Sequence, residues 1–102
     1  MVLVTTSDRK QAKMIATRIV EAKLAACVNI VGPIRSLYRW DRRICDEPEV
    51  LLVAKTRKTL LRELERMVKR LHSYENPEVI ALPIIGGARA YLKWLRAETQ
   101  NS

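Results

Sequence analysis

Two hydrophobic periods alternate along the chain. Val2 to Ser7 (VLVTTS) is a short apolar run that predicts a strand. Ser7 or Asp8 follows with a side-chain oxygen able to accept a backbone N–H in the first turn of a helix. From Asp8 to Leu24, apolar residues recur at Ala12, Ile15, Ala16, Ile19 and Ala22, the spacing of one buried helical face. The period then drops to two. Val28, Ile30, Ile34, Tyr38 and Trp40 fall on one side of a long extended segment, with Asn29, Arg35 and Arg39 on the other. Gly32-Pro33 interrupts that segment and predicts a bend or bulge. A turn near Asp41 to Arg43 brings the chain back from Ile44 as a partner strand. Glu49 to Thr56 (EVLLVAKT) is apolar almost throughout, as befits a strand buried on both faces or central in a sheet.

Leu60, Leu61, Leu64, Val68 and Leu71 mark a second amphipathic helix, with Thr56 or Thr59 as its cap and Glu65 and Lys69 as an i, i+4 ion pair. Pro77 blocks its continuation. Glu78 to Ile85 (EVIALPII) predicts a further strand, at a sheet edge or bulged because Pro83 has no N–H to donate. Tyr91, Leu92 and Leu95 mark a short last helix, with Trp94 near its other side. Strand, helix, hairpin, helix, strand, helix is the order of an α+β, ferredoxin-like α/β plait. Such a fold is an antiparallel sheet with helices on one face, here with an extended β-hairpin.

Composition narrows the reading. The 102 residues suit a single domain over 1–102, with 48% apolar and 29% charged residues. No apolar run approaches the roughly 18 residues of a membrane span, so no membrane association is expected. The opening MVLVTTSD has no basic leader, and a cytoplasmic location is the expectation. Cys27 lies in an apolar run and reads as an inert thiol; Cys45, among charges, reads as a turn residue. The net charge of +8 raises nucleic acid as a partner, but the basic residues are spread along the outer faces of the predicted helices. The sheet-face aromatics that stack on RNA bases in domains of this topology are also missing, as the chain has no phenylalanine. No nucleic-acid partner is therefore expected.

The stretches KLAACVNI (23–30), SLYRWDRRI (36–44), EVLLVAKT (49–56), HSYENPEVIALPI (72–84) and YLKWL (91–95) together resemble the CutA family of divalent-cation tolerance proteins over nearly the whole chain. Two places depart from it: Ser73, where proline is more usual, and Asp41-Arg42-Arg43, where the hairpin turn usually carries glycine. The resemblance implies a homotrimer built like the PII signalling proteins, and an association with copper or another divalent cation. It implies a ligand-binding cleft where subunits meet, lined by Cys27, Lys55, His72, Tyr74 and Glu75. Tyr38, Trp40 and Pro83 are the candidate interface residues.

His72 is the only histidine and the candidate metal ligand. A firm copper or zinc site needs three or four converging ligands. Some members of the family use a cysteine ending the first strand and two adjacent histidines; Val4 and Leu71-His72 stand at those places here, so a strong copper site is not inherited. Lys55, Tyr74 and Glu75 offer a cation, a phenol and a carboxylate for a polar ligand. Alternatively, Tyr74 and Glu75 cross-link a joint and His72 ends a helix. No nucleophile motif or Gly-rich phosphate loop is present, so no catalytic residue is assigned. A PII-like small-molecule sensor without specific metal binding is the alternative function.

Overall fold

The computed structural model describes residues 1–100. Its elements are β1 (Val2–Thr6), α1 (Arg9–Glu21), β2 (Cys27–Trp40), β3 (Arg43–Lys55), a 3-10 turn (Lys58–Leu60), α2 (Leu61–Leu71), β4 (Val79–Ala81) and α3 (Arg89–Ala97). The four strands form one antiparallel sheet in the order β2-β3-β1-β4, the ferredoxin-like plait that the pattern predicts. β2 and β3 run on as a hairpin, and the molecule measures 45 × 25 × 21 Å.

One sheet face is covered. Val2, Val4 and Thr6 of β1 lie opposite Ala54, Leu52 and Val50 of β3, and all six are buried. Ala12, Ile15, Ala16 and Ile19 from α1 close over them, with Leu60, Leu64 and Val68 from the second helical segment. These are the positions the helical spacing selects, because a stripe at 3.6-residue period can be buried only against another apolar surface.

Local chemistry sets the helix ends. Asp8 is the cap of α1, its carboxylate accepting the Gln11 N–H at 2.8 Å. The helix stops before Leu24: Lys23 takes φ 59°, and the Leu24 and Lys23 N–H groups bond back to the Ile19 and Val20 carbonyls. That is a Schellman motif with lysine in the place glycine favours. Neither predicted cap of α2 serves it. The Thr56 hydroxyl instead donates to the Leu24 carbonyl at 2.6 Å, and a 3-10 turn leads into the helix. Glu65 and Lys69 do pair, at 3.4 Å.

The long extended segment does not keep one apolar side. Its register slips between Val31 and Ile34: Val31 pairs with Leu51, but Ile34 pairs with Glu49. Because side chains alternate faces, this bulge moves the stripe across the sheet. Val28 and Ile30 lie on the face of Ala54 and Leu52, whereas Ile34, Tyr38 and Trp40 lie on the opposite face with Glu49, Cys45 and Arg43. Gly32 leaves room at the bulge, where a Cβ would sit a tight 3.2 Å from both Val50 methyls. Cys45 is in β3 opposite Tyr38, not in a turn.

The turn itself has two residues, Asp41 and Arg42, with φ 50° and 64°. Both positions suit Asn-Gly, and an arginine there strains its backbone. Arg42→Gly is expected to raise stability by roughly 0.5–1 kcal/mol. The denaturant midpoint would measure the gain, and a lower midpoint would contradict this reading of the turn.

The fourth strand is shorter than predicted. Regular pairing covers Val79–Ala81, and the last rung is the Leu82 N–H on the Met1 carbonyl at 2.8 Å. Pro83 follows without a donor, and residues 82–88 run on without regular structure. In α3 only Leu95 is buried. Tyr91 and Trp94 are exposed and stack on each other with ring centres 5.4 Å apart.

Candidate functional site

The chain leaves α2 at His72, whose backbone turns extended (φ −78°, ψ 144°) while its N–H still bonds to the Val68 carbonyl at 2.8 Å. The ring swings back under the sheet and is buried. Its Nε2 lies 2.7 Å from the Thr5 carbonyl, and its Nδ1 accepts the Tyr74 N–H at 3.0 Å. A carbonyl can only accept, so Nε2 carries the proton and Nδ1 presents the lone pair. The imidazole thus ties the end of α2 to β1 and shapes the loop that follows. Tyr74 packs on it with ring centres 4.7 Å apart.

Tyr74 extends the connection to β3. Its hydroxyl donates to Glu49 Oε2 at 3.1 Å, and Glu49 is buried, only 7% exposed, at the bulged register. Burial, and then the hydrogen bond to this carboxylate, push the Tyr74 phenol from 10.0 up to about 12. The neutral phenol is the form that donates. Its contribution to stability is therefore full below pH 10.0 and is lost as pH rises through about 12. In an alkaline absorbance titration the step near pH 12 is expected to vanish in Tyr74→Phe. A wild-type titration complete near pH 10 would break the assignment.

A cavity of about 950 Å³ opens beside this pair, between the hairpin and the 74–78 loop. Tyr38, Trp40, Tyr74, Glu49, Glu75 and Glu78 are on its wall. Arg35 also borders it, but its guanidinium is held by both oxygens of Asp46, at 2.8 and 3.0 Å.

Cys27 and Lys55 sit elsewhere. They face each other across the β2–β3 ladder, and both are half-buried. Cys27 lies near Tyr91, whose phenol is raised by partial desolvation and then by that thiol. Along β3, Lys55 is six residues from Glu49, roughly 20 Å at the rise of a strand. The five residues of the expected cleft therefore form two groups in one chain, with Cys27 and Lys55 at one end of the sheet and His72, Tyr74 and Glu75 at the other.

For a divalent cation the geometry at His72 is unfavourable. A neutral imidazole has one in-plane lone pair, and here the Tyr74 N–H occupies it. Among the described residues no group of three His, Cys, Asp or Glu side chains converges on a point. Within one chain, the residues present do not fit a firm metal site.

The family model for CutA1 divalent ion tolerance proteins matches residues 1–98. The chain belongs to the CutA family. Protein CutA, chloroplastic, of Arabidopsis thaliana is 48% identical over 99% of this chain and 56% of its own length. The divalent-cation tolerance protein CutA of Thermus thermophilus is 46% identical over 97% of this chain and 96% of its own. The crystal structure of CutA1 from Oryza sativa superposes with a TM-score of 0.97 at 48% identity, covering 99% of this chain and 93% of that one. The chain thus spans little more than half the length of the Arabidopsis relative and nearly all of the bacterial one.

Against this CutA framework, three partners of the site were absent from the sequence reading: Glu49, Thr5 and Tyr91. Glu49 had a visible signal, a carboxylate opening an otherwise apolar strand. Thr5 acts through its carbonyl, which any residue would supply, so its identity carries no signal. Tyr38 and Trp40 lie on the hairpin with 43% and 62% of their surface exposed, and Pro83 lies in the extended stretch beyond β4. All three are available to a neighbouring molecule.

Proposed function

We propose that this CutA chain works as a homotrimeric binding and structural module for divalent-cation tolerance, not as an enzyme. One observation carries the assembly. The sheet face opposite α1 and α2 carries a row of apolar side chains that are partly open to solvent. Leu3 lies between Val53 and Ile80, and Leu51 lies beside Val31. Val31 and Ile80 are 44% and 52% exposed, and α1 and α2 pack on the other side. An apolar sheet face of this extent needs covering, and among the described residues the 14-residue edge strand β2 has no partner along its outer side. Copies of the same chain supply both needs at once, and closed symmetry leaves no edge over.

Assembly also supplies what one chain lacks. The Cys27–Lys55 pair and the His72–Tyr74–Glu75 group come together into one cleft only if they belong to different subunits. The family name, together with the carboxylates around Tyr74, supports cation-linked function at the joint. The engaged ring of His72 supports a role as a clamp over one as the ion's ligand.

Zinc or copper titration tests that last assignment directly. With a single histidine in the chain, the imidazole Cε1–H resonance needs no assignment by mutation. It is expected to stay in place through one equivalent of zinc. A stoichiometric shift of that signal would make His72 a ligand.

A further inference from the structure

The open sheet face carries opposite charges at its two ends. Along β3, Val50, Leu52 and Ala54 lie under the helices, so Glu47, Glu49, Leu51, Val53 and Lys55 share the other side. The two glutamates are toward the hairpin, and Lys55 is at the far end. Arg43 also lies on this side of β3, but it stands exposed at the hairpin tip. Lys55 is half-buried and, among the described residues, has no carboxylate partner.

Glu49 is in the complementary position. It is 7% exposed, and among the described residues its one side-chain hydrogen bond is from the Tyr74 hydroxyl to Oε2. Its Oε1 has no such bond, yet among those residues the closed-off polar atoms without a partner belong to Arg57. Oε1 is therefore still reached from outside, through the cavity that Glu49 lines beside the hairpin. Arg35, the one cation on that wall, is already held by Asp46. The rings of Tyr38, Trp40 and Tyr74 stand there with the carboxylates of Glu75 and Glu78, a lining that favours a cation over an anion. A carboxylate as buried as Glu49 is ordinarily paired, so a cation from outside the chain fits this place.

Leu51 and Val53 separate the two charges. Any copy that covers these side chains also takes Glu49 and Lys55 out of water, and each then needs the opposite sign beside it. They are roughly 20 Å apart along one strand and cannot meet within a chain. Joined head to tail, each chain offers its carboxylate to one neighbour and its ammonium to the next, an arrangement that closes a ring. We propose that in the homotrimer each subunit's Lys55 enters the neighbouring subunit's cavity and pairs with Glu49 there, one ion pair per joint. The pairing rests on the homotrimer proposed above and names the residue with which one subunit completes the other's cavity.

Light scattering of charge variants tests it. Lys55→Glu sets two carboxylates against each other at every joint and is expected to give a particle of 11.7 kDa in place of one about three times that mass. Adding Glu49→Gln removes the facing charge while an amide oxygen still accepts from Tyr74, and should restore part of the larger particle. Adding Glu49→Lys in its place exchanges the two charges and should restore it more fully. Lys13→Glu, the same change of charge on the solvated face of α1, should leave the mass unaltered. Circular dichroism checks each fold, and Lys55→Gln, which only removes the charge, should lower the urea concentration at which the larger particle dissociates. A wild-type protein of 11.7 kDa would overturn the homotrimer and the pairing together. A wild-type trimer whose mass survives Lys55→Glu, or a Lys55→Glu defect that neither Glu49 change relieves, would overturn the pairing alone. So would a Lys55→Gln protein that dissociates at the wild-type urea concentration.

Discussion

Val53→Glu is expected to turn a particle of about three times 11.7 kDa into one of 11.7 kDa in light scattering. Val53 is on the open sheet face, between Leu3 on one neighbouring strand and Asn29 on the other. In a single chain it is half-buried, so the glutamate can reach solvent and the plait survives. In the proposed assembly the same carboxylate enters an apolar joint, once per subunit. An unpaired buried charge costs several kcal/mol, and the assembly would bear that cost at every subunit. Lys13→Gln, the matching one-unit fall in charge on the solvated face of α1, should leave the mass unaltered. A wild-type particle of monomer mass at micromolar concentration, or a Val53→Glu protein still at full mass, would remove the basis of the assembly.

His72→Ala is expected to cost about 2–4 kcal/mol per subunit in chemical denaturation at fixed protein concentration. The estimate follows from what is orphaned. The Thr5 carbonyl is buried and has His72 Nε2 as its side-chain partner, and the Tyr74 N–H has Nδ1. Each unsatisfied buried group costs roughly 1–3 kcal/mol, and the space left by the ring adds to that. The Tyr74–Glu49 bond should weaken as well, because His72 is what places the loop. His72→Gln can present an N–H and a carbonyl oxygen from one amide and is expected to recover part of the loss. A loss below about 1 kcal/mol in His72→Ala would show that the ring is not the clamp the distances describe.

The clamp bears on the metal question too. A histidine that holds a helix end to a strand is required for the fold whether or not an ion is present. A stability defect in His72→Ala and a loss of cation tolerance would then have a common cause. The resonance test on the wild-type protein separates the two.

Elements with local causes were legible in the sequence. The burial of Ala12, Ile15, Ala16 and Ile19 follows from spacing alone, since a helix has one period and one face. A cap at Ser7 or Asp8, the Glu65–Lys69 pair and a turn near Asp41 to Arg43 are likewise indicated by neighbours along the chain. The family could be read for a related reason: five short stretches in fixed order are a property of the chain itself.

What needed the tertiary structure are relations between residues far apart. The stripe from Val28 to Trp40 looked one-sided because counting by twos assumes an unbroken ladder. The Gly32-Pro33 interruption was visible, but its effect on facing depends on which residues of β3 lie opposite. His72 could be read as ligand or helix end until the fold brought the Thr5 carbonyl, 67 residues earlier, to its Nε2. The fourth strand was predicted through Ile85, yet it ends where β1 stops offering partners. Periodicity depends on backbone geometry that repeats every few residues, and the chain carries it openly. A hydrogen bond between distant groups depends on how the elements pack, and for His72 and Glu49 packing alone decided which polar atoms meet.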